Sequence, residues 1–315
     1  MHRYRNFNRL LKEEFGERVH RVVIKGGFTC PNRDGSLARG GCTFCNEEGH
    51  RPTTLLGERG WPEVESQLRR RMKHVVERFS TRAFIAYFQD YSATYAAPER
   101  LRPMFERALA VDGVVGLIVA TRSDCLGPEI LDLLSELNER TYLWVEIGLQ
   151  SASDDTLARV RRYHTVQNVA DAALALKARG IRVGVHVMLG LPGEGPLDYQ
   201  RTARFVGEIG FDGIKIHNTY VLKSTVLARQ FYEGLYRPQS LTEYVNDCVD
   251  FLERIPPEMV VQRLTAQGPK PLMVAPQWCI NKHVVLAAID AELARRDSWQ
   301  GKRWRSTARL ELAAV

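Results

Sequence analysis

No stretch of this chain approaches the roughly 20 consecutive apolar residues that a membrane-spanning helix needs, and Met1-His2-Arg3-Tyr4 leads into charged sequence without a signal-peptide core. A soluble, cytoplasmic protein with no membrane partner is expected. Cysteine is sparse, six in 315 residues, and because disulfides are rare in the cytoplasm a disulfide framework explains them poorly. Metal or redox chemistry is the better question to ask of them. Low-complexity tracts, linkers and internal repeats are missing too, which removes disordered and solenoid architectures. Charge of one sign does not dominate: 44 Lys+Arg against 37 Asp+Glu leave +7. That balance suits a polyanion such as RNA, and equally a plain solvated surface. The basic residues lean toward the ends, with Arg3, Arg5, Arg9 and Lys12 at the start and Lys302, Arg303, Arg305 and Arg309 at the finish.

What the chain does have is alternation. Short runs rich in β-branched residues, Val22-Ile24, Phe84-Phe88, Val114-Ala120, Leu143-Leu149, Val183-Leu189 and Gly213-His217, read as buried parallel strands. Between them Trp61-Phe79, Pro98-Val111, Pro128-Arg140, Asp154-Arg162, Val166-Arg179 and Pro196-Ile209 carry apolar residues at helical spacing. Six such units imply a parallel sheet wound one way, too few for an eight-stranded closure, so the expected α/β fold is an incomplete (β/α)6 TIM-like barrel. It should occupy residues 1–225 with its lead-in. A C-terminal extension, 226–315, follows, with helices at Leu241-Ile255 and Asn281-Arg296 around a short apolar Met259-Val261. Ligand sites in such folds gather at the C-terminal ends of the strands.

The first strand runs into Cys30, and after eleven residues comes Cys42-Thr43-Phe44-Cys45, with Gly35, Gly40, Gly41 and Gly49 to let the loop fold back. Three thiols on one loop leave one coordination position open. Either His50 completes a Cys3His structural zinc site, or the three hold an iron-sulfur cluster with one bare iron. Cys125, Cys248 and Cys279 are isolated and read as small buried residues.

The phrase Gly27-Phe28-Thr29-Cys30-Pro31-Asn32-Arg33-Asp34-Gly35, continued by Gly40-Gly41-Cys42-Thr43-Phe44-Cys45-Asn46, resembles the YhcC/YtqA-type family of the radical S-adenosylmethionine (SAM) superfamily. The resemblance runs from about Tyr4 to Gly301. It implies a [4Fe-4S] cluster on Cys30, Cys42 and Cys45, with Phe44 as the aromatic that precedes the last ligand.

Successive strand ends extend the resemblance. Tyr87-Phe88-Gln89-Asp90-Tyr91 stands where many members carry Gly-Gly-Glu, so Gln89 and nearby carbonyls would hold the methionine amino group; a strand cap is the plain alternative. Thr121-Arg122-Ser123-Asp124 is similar to a Thr-Arg-Pro-Asp of the branch containing the Elongator catalytic subunit, and Arg122 with Asp124 forms either part of the site or a local ion pair. Glu146, Gln150, Ser151 and Arg162 match positions of the oxygen-independent coproporphyrinogen dehydrogenase branch, where Gln and Glu contact the ribose of S-adenosylmethionine and Arg its carboxylate. His186, before Gly190-Leu191-Pro192-Gly193-Glu194, replaces a ribose-binding Asp, leaving ribose contact, substrate contact or a satisfied core histidine. Lys215, His217 and Asn218 end the sixth strand and face substrate on this reading. Gln262-Arg263-Leu264-Thr265 and Trp278-Cys279-Ile280-Asn281-Lys282 also belong to the resemblance, without a derivable role.

By that resemblance the chain is a radical enzyme that reductively cleaves S-adenosylmethionine to a 5′-deoxyadenosyl radical, served by an electron donor such as flavodoxin or ferredoxin. Its expected substrate is tRNA, in which the 5-carboxymethylaminomethyl group of the wobble uridine becomes 5-aminomethyl. A small metabolite or a protein is the other enzymatic possibility, and a zinc-stabilised RNA-binding module the non-enzymatic one.

Overall fold

The computed structural model describes residues 3–46, 63–79 and 81–305. Seven strands form one parallel sheet: β1 (Val19–Ile24), β2 (Ala83–Phe88), β3 (Val114–Thr121), β4 (Tyr142–Gln150), β5 (Arg182–Leu189), β6 (Gly213–Asn218) and, after a two-residue β7 (Val221–Leu222), β8 (Val260–Arg263). Order across the sheet follows order in the chain, β1-β2-β3-β4-β5-β6-β8, which curls it into an incomplete barrel. The six expected units are present. The seventh strand is an addition: β8 contains the apolar end of Met259-Val261 and pairs in parallel with β6, so the C-terminal extension supplies one edge of the barrel.

Ahead of the barrel lies α1 (Phe7–Phe15), and α2 (Pro31–Asp34) is a single turn inside the cysteine loop. The crossover helices are α3 (Val64–Phe79), α4 (Pro98–Leu109), α5 (Pro128–Arg140), α6 (Asp154–Arg159), α7 (Val166–Lys177) and α8 (Pro196–Ile209). Proline at the first position starts α4, α5 and α8, where the missing N–H costs nothing, and Thr165 and Asn168 cap α7 reciprocally. The extension adds α9 (Val226–Tyr232), α10 (Leu241–Leu252), α11 (Lys282–Arg295) and a short β9 (Met273–Ala275) antiparallel to β7. Among the described residues no helix is long and apolar enough to cross a membrane.

The sheet buries both faces, as its continuous apolar runs require. Outward residues such as Phe84, Leu117, Val145 and Val185 meet the helices in one core, while Ile85, Ile118, Trp144 and Val260 point into the barrel and meet α1. Phe7 sets its ring edge-on to Trp144 at 5.3 Å, and Gly213 clears the way, since a Cβ there would stand 2.8 Å from the indole. The chain before α1 also pairs with the β8 edge, through Val261 N–H to the Arg5 carbonyl at 2.7 Å. One end of the barrel is therefore plugged, and the carboxyl ends of the strands stay open.

The two basic ends meet beside α1. Arg3 donates to Asp297 (3.3 Å) and to the Ser298 carbonyl, Arg9 pairs with Glu13 and Arg303 with Glu253, so much of that charge is answered within the chain. Arg309 and His50 lie outside the described residues. Phe7→Ala should lower stability by about 3–5 kcal/mol, as truncation of a buried aromatic does, read as a fall in urea midpoint with unchanged m-value. Val284→Ala, at a half-exposed position on α11, should shift it little.

Candidate active site

The cysteine loop has almost no regular structure, so side chains and carbonyls hold it. Cys30 is the residue before α2, and the Asn32 amide donates to the carbonyls of Arg161 (3.0 Å) and Arg162 (3.1 Å), fastening the loop to the far side of the cavity. Thr43 N–H donates to the Val160 carbonyl, and Leu227 N–H to that of Thr43. Asp90, just after β2, accepts from Gly26 N–H through both oxygens at 3.2 and 3.3 Å. Burial pushes its pKa up to about 6, with the amides of Gly26, Phe28 and Gly27 pulling it down. Gly41 takes φ +80°, and a Cβ there would stand 2.9 Å from Cys45 Sγ.

Cys30 and Cys42 are buried, Cys45 half-buried, and all three line one cavity of about 220 Å³ at the open strand ends. Cationic groups face their sulfurs: Arg33 Nη1 donates to Cys45 Sγ at 3.2 Å and Arg162 Nη1 reaches Cys42 Sγ at 3.8 Å. Burial raises the pKa of Cys30 and Cys45, and these guanidiniums, with Arg122, oppose it. The other cysteines lack that opposition in strength and burial pushes them up, Cys125 and Cys248 to about 12 and Cys279 to about 11.

Gln89, Arg122, Gln150, Arg162 and His186 line the cavity with Phe44, which packs against the cluster around Val221 and Leu227. Arg122 is 2% exposed. Its Nε and Nη2 grip Asp124 at 2.8 and 2.7 Å, leaving Nη1 buried without a partner. Arg162 is not on a helix, because α6 stops at Arg159 and Arg161 and Tyr163 turn to φ +57°. It donates from Nε to His164 Nε2 (2.9 Å) and from Nη2 to the Gly148 carbonyl (2.8 Å). His164 can accept because burial, helped by the two guanidiniums, lowers its pKa to about 3. Gln150 sits at φ +74° where β4 shifts register against β5, and its amide and the Arg162 guanidinium fill the space that a Cβ at Gly148 would occupy. A non-glycine residue in the left-handed region costs about 1–3 kcal/mol, and such strain concentrates at functional sites.

Below them lies a charged floor. Glu146 is fully buried on β4; its Oε2 accepts from Tyr87 (2.7 Å, β2), His186 Nε2 (2.9 Å, β5) and Lys215 Nζ (2.5 Å, β6). Burial alone would raise its pKa, but the Lys215 charge and the His186 hydrogen bond outweigh that and hold the carboxyl well below the usual range.

Comparison with known proteins fits this geometry. Residues 30–206 match the Radical SAM superfamily and residues 211–295 the Radical_SAM C-terminal domain. The chain is 43% identical to the uncharacterized protein YtqA of Bacillus subtilis over 300 residues, 95% of this chain and 92% of that one. It is 35% identical to protein YhcC of Escherichia coli over 284 residues, 90% of each. It belongs to the YhcC/YtqA-type family of radical SAM enzymes. A tRNA uridine(34) acetyltransferase of Dehalococcoides mccartyi is 31% identical over 158 residues, 49% of this chain and 34% of that protein. In fold the chain is similar to the archaeal Elp3 of Methanocaldococcus infernus, with a TM-score of 0.70 and 17% identity over 91% of this chain and 64% of that one.

Radical SAM enzymes use a [4Fe-4S] cluster and S-adenosylmethionine, and the residues present fit both. Three thiols with guanidinium and amide donors aimed at their sulfurs suit a sulfide-bridged iron cluster, whose potential such contacts tune. Arg122 Nη1 and the strained Gln150 face the same cavity.

Four expected residues stand elsewhere than on the cavity or are otherwise committed. Asp124 lies behind Arg122, orienting it. Ser151 donates to Glu194 of the Gly-Leu-Pro-Gly-Glu turn, joining the ends of β4 and β5, and burial pushes Glu194 up to about 7. Glu146, expected at a ribose, does line the cavity, but its Oε2 is spent on three protein partners in the floor while Oε1 is buried without one. Lys215, expected to face substrate, is instead buried on Glu146 and does not line the cavity, and Asp90 gains a role the local pattern does not carry.

The Glu146 floor gives a pH test. Because its folded pKa is depressed, its stability contribution is present above the ordinary carboxylate range and is lost as pH falls through and below about 4. Glu146→Gln should cost about 3–5 kcal/mol at pH 7 by leaving Lys215 buried beside a neutral group. In urea unfolding the difference between wild type and variant should shrink steadily between about pH 5 and 3.

Proposed function

We propose that this radical SAM enzyme acts on tRNA, converting the 5-carboxymethylaminomethyl group of the wobble uridine to 5-aminomethyl. The observation that carries the substrate class is the similarity, across 49% of the chain, to a protein named as a tRNA uridine(34) acetyltransferase. The net charge of +7 is compatible with it.

Cys30, Cys42 and Cys45 would hold the cluster, with Arg33, Asn32 and Arg162 offsetting the negative charge of its sulfurs. When bound, the cluster would supply an electron to S-adenosylmethionine, and the resulting 5′-deoxyadenosyl radical would take a hydrogen atom from the carbon between the substrate's carboxylate and amine; loss of one further electron to the redox partner and addition of water would then release the two carbons as glyoxylate and leave the 5-aminomethyl group. Arg122 Nη1, buried and with a donor to spare, would receive the methionine carboxylate, and Asp124 fixes its plane for that contact. Arg162, which the family resemblance matches to the carboxylate, has two of its nitrogens committed to His164 and Gly148, so its share is charge and the shape of the pocket. Gln150 would meet the ribose, Gln89 the amino group, and Ser151 with Glu194 would hold the turn on which the adenine rests. Phe44 and Met188 keep water from the reacting centre. An external reductant such as flavodoxin or ferredoxin completes the system.

Anaerobically reconstituted protein should bind about four irons. Cys30→Ala, Cys42→Ala and Cys45→Ala should each abolish both iron and S-adenosylmethionine cleavage, while Cys125→Ala, Cys248→Ala and Cys279→Ala keep the iron. Iron lost only from the second group would exclude the assignment. For the substrate, wild-type enzyme with reductant and S-adenosylmethionine should convert 5-carboxymethylaminomethyluridine in tRNA to the aminomethyl form, read by nucleoside mass spectrometry. Unchanged nucleosides from an enzyme that cleaves S-adenosylmethionine would remove tRNA as the target.

A further inference from the structure

Four guanidiniums line the cavity and three are engaged: Arg33 with Cys45, Arg122 with Asp124, and Arg162 with His164 and Gly148. The guanidinium of Arg263, an exposed residue on the rim of the cavity, makes no hydrogen bond or ion pair with another described residue. It closes β8, at the opposite edge of the sheet from β1, which feeds the cysteine loop. Its placement is built into the strand. Val261 pairs with Ile214 but Arg263 with Lys215, so Gln262 is an extra residue in β8. A bulge of this kind re-aims side chains. Gln262 turns into the barrel, within 3.4 and 3.2 Å of where Cβ atoms at Gly184 and Gly213 would stand, and Arg263 turns to the cavity.

The residues after Arg263 fold over the end of β6. Thr265 Oγ1 (3.0 Å) and Ala266 N–H (2.8 Å) both donate to Asn218 Oδ1. A backbone N–H can only donate, so the amide oxygen of Asn218 is fixed there and its Nδ2 faces the other way. Asn218 is 1% exposed and lines the cavity; its side chain lies near enough to Cys279 to favour that thiolate, but Nδ2 completes no hydrogen bond, and His217 Nε2 beside it is also buried without one. This wall therefore offers the guanidinium fork of Arg263 and the amide hydrogens of Asn218, with imidazole Nε2 beside them; the carboxylate that shares the cavity, Glu146, spends its Oε2 on Tyr87, His186 and Lys215 in the floor. Donors in excess, around a fork that matches two oxygens, are the chemistry of a carboxylate receptor.

We propose that Arg263, Asn218 and His217 bind a carboxylate of the substrate and hold the carbon next to it across the cavity from the cysteine loop. This rests on the reading that the substrate carries a carboxymethylaminomethyl group, and it gives the Gln-Arg-Leu-Thr segment its work: Gln262 bulges, Arg263 binds and Thr265 orients Asn218. An RNA phosphate is the other source of the same anionic chemistry.

Holoenzyme saturated with S-adenosylmethionine is titrated calorimetrically with the nucleosides 5-carboxymethylaminomethyluridine and 5-aminomethyluridine, as wild type, Arg263→Gln and Asn218→Asp. Wild type should prefer the first by about tenfold or more, as one charge-assisted fork contact allows. Arg263→Gln should erase the preference. Asn218→Asp, which keeps an acceptor for Thr265 and Ala266 but replaces the donor by a negative oxygen, should do the same, with iron content unchanged in both. Equal binding of the two nucleosides by wild type, binding of neither, or a preference that survives Arg263→Gln would overturn the receptor. If Arg263→Gln instead weakens tRNA with and without the carboxymethyl group equally, Arg263 reads a phosphate and the carboxylate assignment falls. Discrimination between nucleosides without conversion of tRNA would retain the receptor and reject the proposed substrate. Conversion by Arg263→Gln at wild-type KM would do the reverse.

Discussion

A single buried carboxylate sets the shape of this half-barrel. Glu146 projects from the central strand β4 into the interior, where an uncompensated charge costs far more than the fold can spare. Tyr87, His186 and Lys215 answer it from β2, β5 and β6, so one oxygen ties together four of the seven strands. Those contacts form only at one register and one curvature. Gly184, beside Glu146 on β5, is part of the same constraint, since a Cβ there would crowd the carboxylate stem at 3.2 Å. With curvature settled at that level, the strand ends two to four residues further on converge on a common space, and Gln89, Arg122, Gln150 and Asn218 arrive together.

Above that floor the cysteine loop is positioned by contacts that are mostly not its own. Asn32 reaches the Arg161 and Arg162 carbonyls, which are displayed only because Arg161 and Tyr163 hold left-handed backbone and break α6 early. Asp90 supports the other side through Gly26. The same Arg162 that displays a carbonyl to Asn32 sends Nη1 toward Cys42, so the backbone strain that ends the helix also delivers positive charge to a sulfur. Geometry of this kind is over-determined, as strained functional loops must be.

Much of this architecture is legible in the amino-acid sequence. The apolar runs of β2 to β6 and the Pro-started helices α5 and α8 stand within one or two residues of where the pattern puts them, because parallel strands buried on both faces leave an unmistakable run. β1 begins three residues earlier than its run, since His20 and Arg21 interrupt the apolar pattern. β8 is four residues long and its partner lies more than forty residues away, so no local period could reveal it. α1 carries signals of its own: Asn6 caps it, Phe7, Leu10 and Leu11 form its apolar stripe and Gly16 ends it, but the surrounding basic residues mask that stripe. In the site, several of the residue types picked out at strand ends gather on one cavity. Which of them are tied to one another does not follow, because Glu146 with Lys215, Asn32 with Arg162 and Asn218 with Thr265 are pairings that only the folded chain creates.

In the proposed assignment, three thiols on one loop hold a cluster with an iron left for S-adenosylmethionine. Electron paramagnetic resonance of the reduced, reconstituted wild-type protein tests it directly, with S-adenosylmethionine labelled by ¹⁷O in its carboxylate or ¹⁵N in its amino group. A cluster signal that changes on addition and shows hyperfine coupling to the label is the predicted result. A cluster signal indifferent to S-adenosylmethionine, with no coupling to either label, would contradict it.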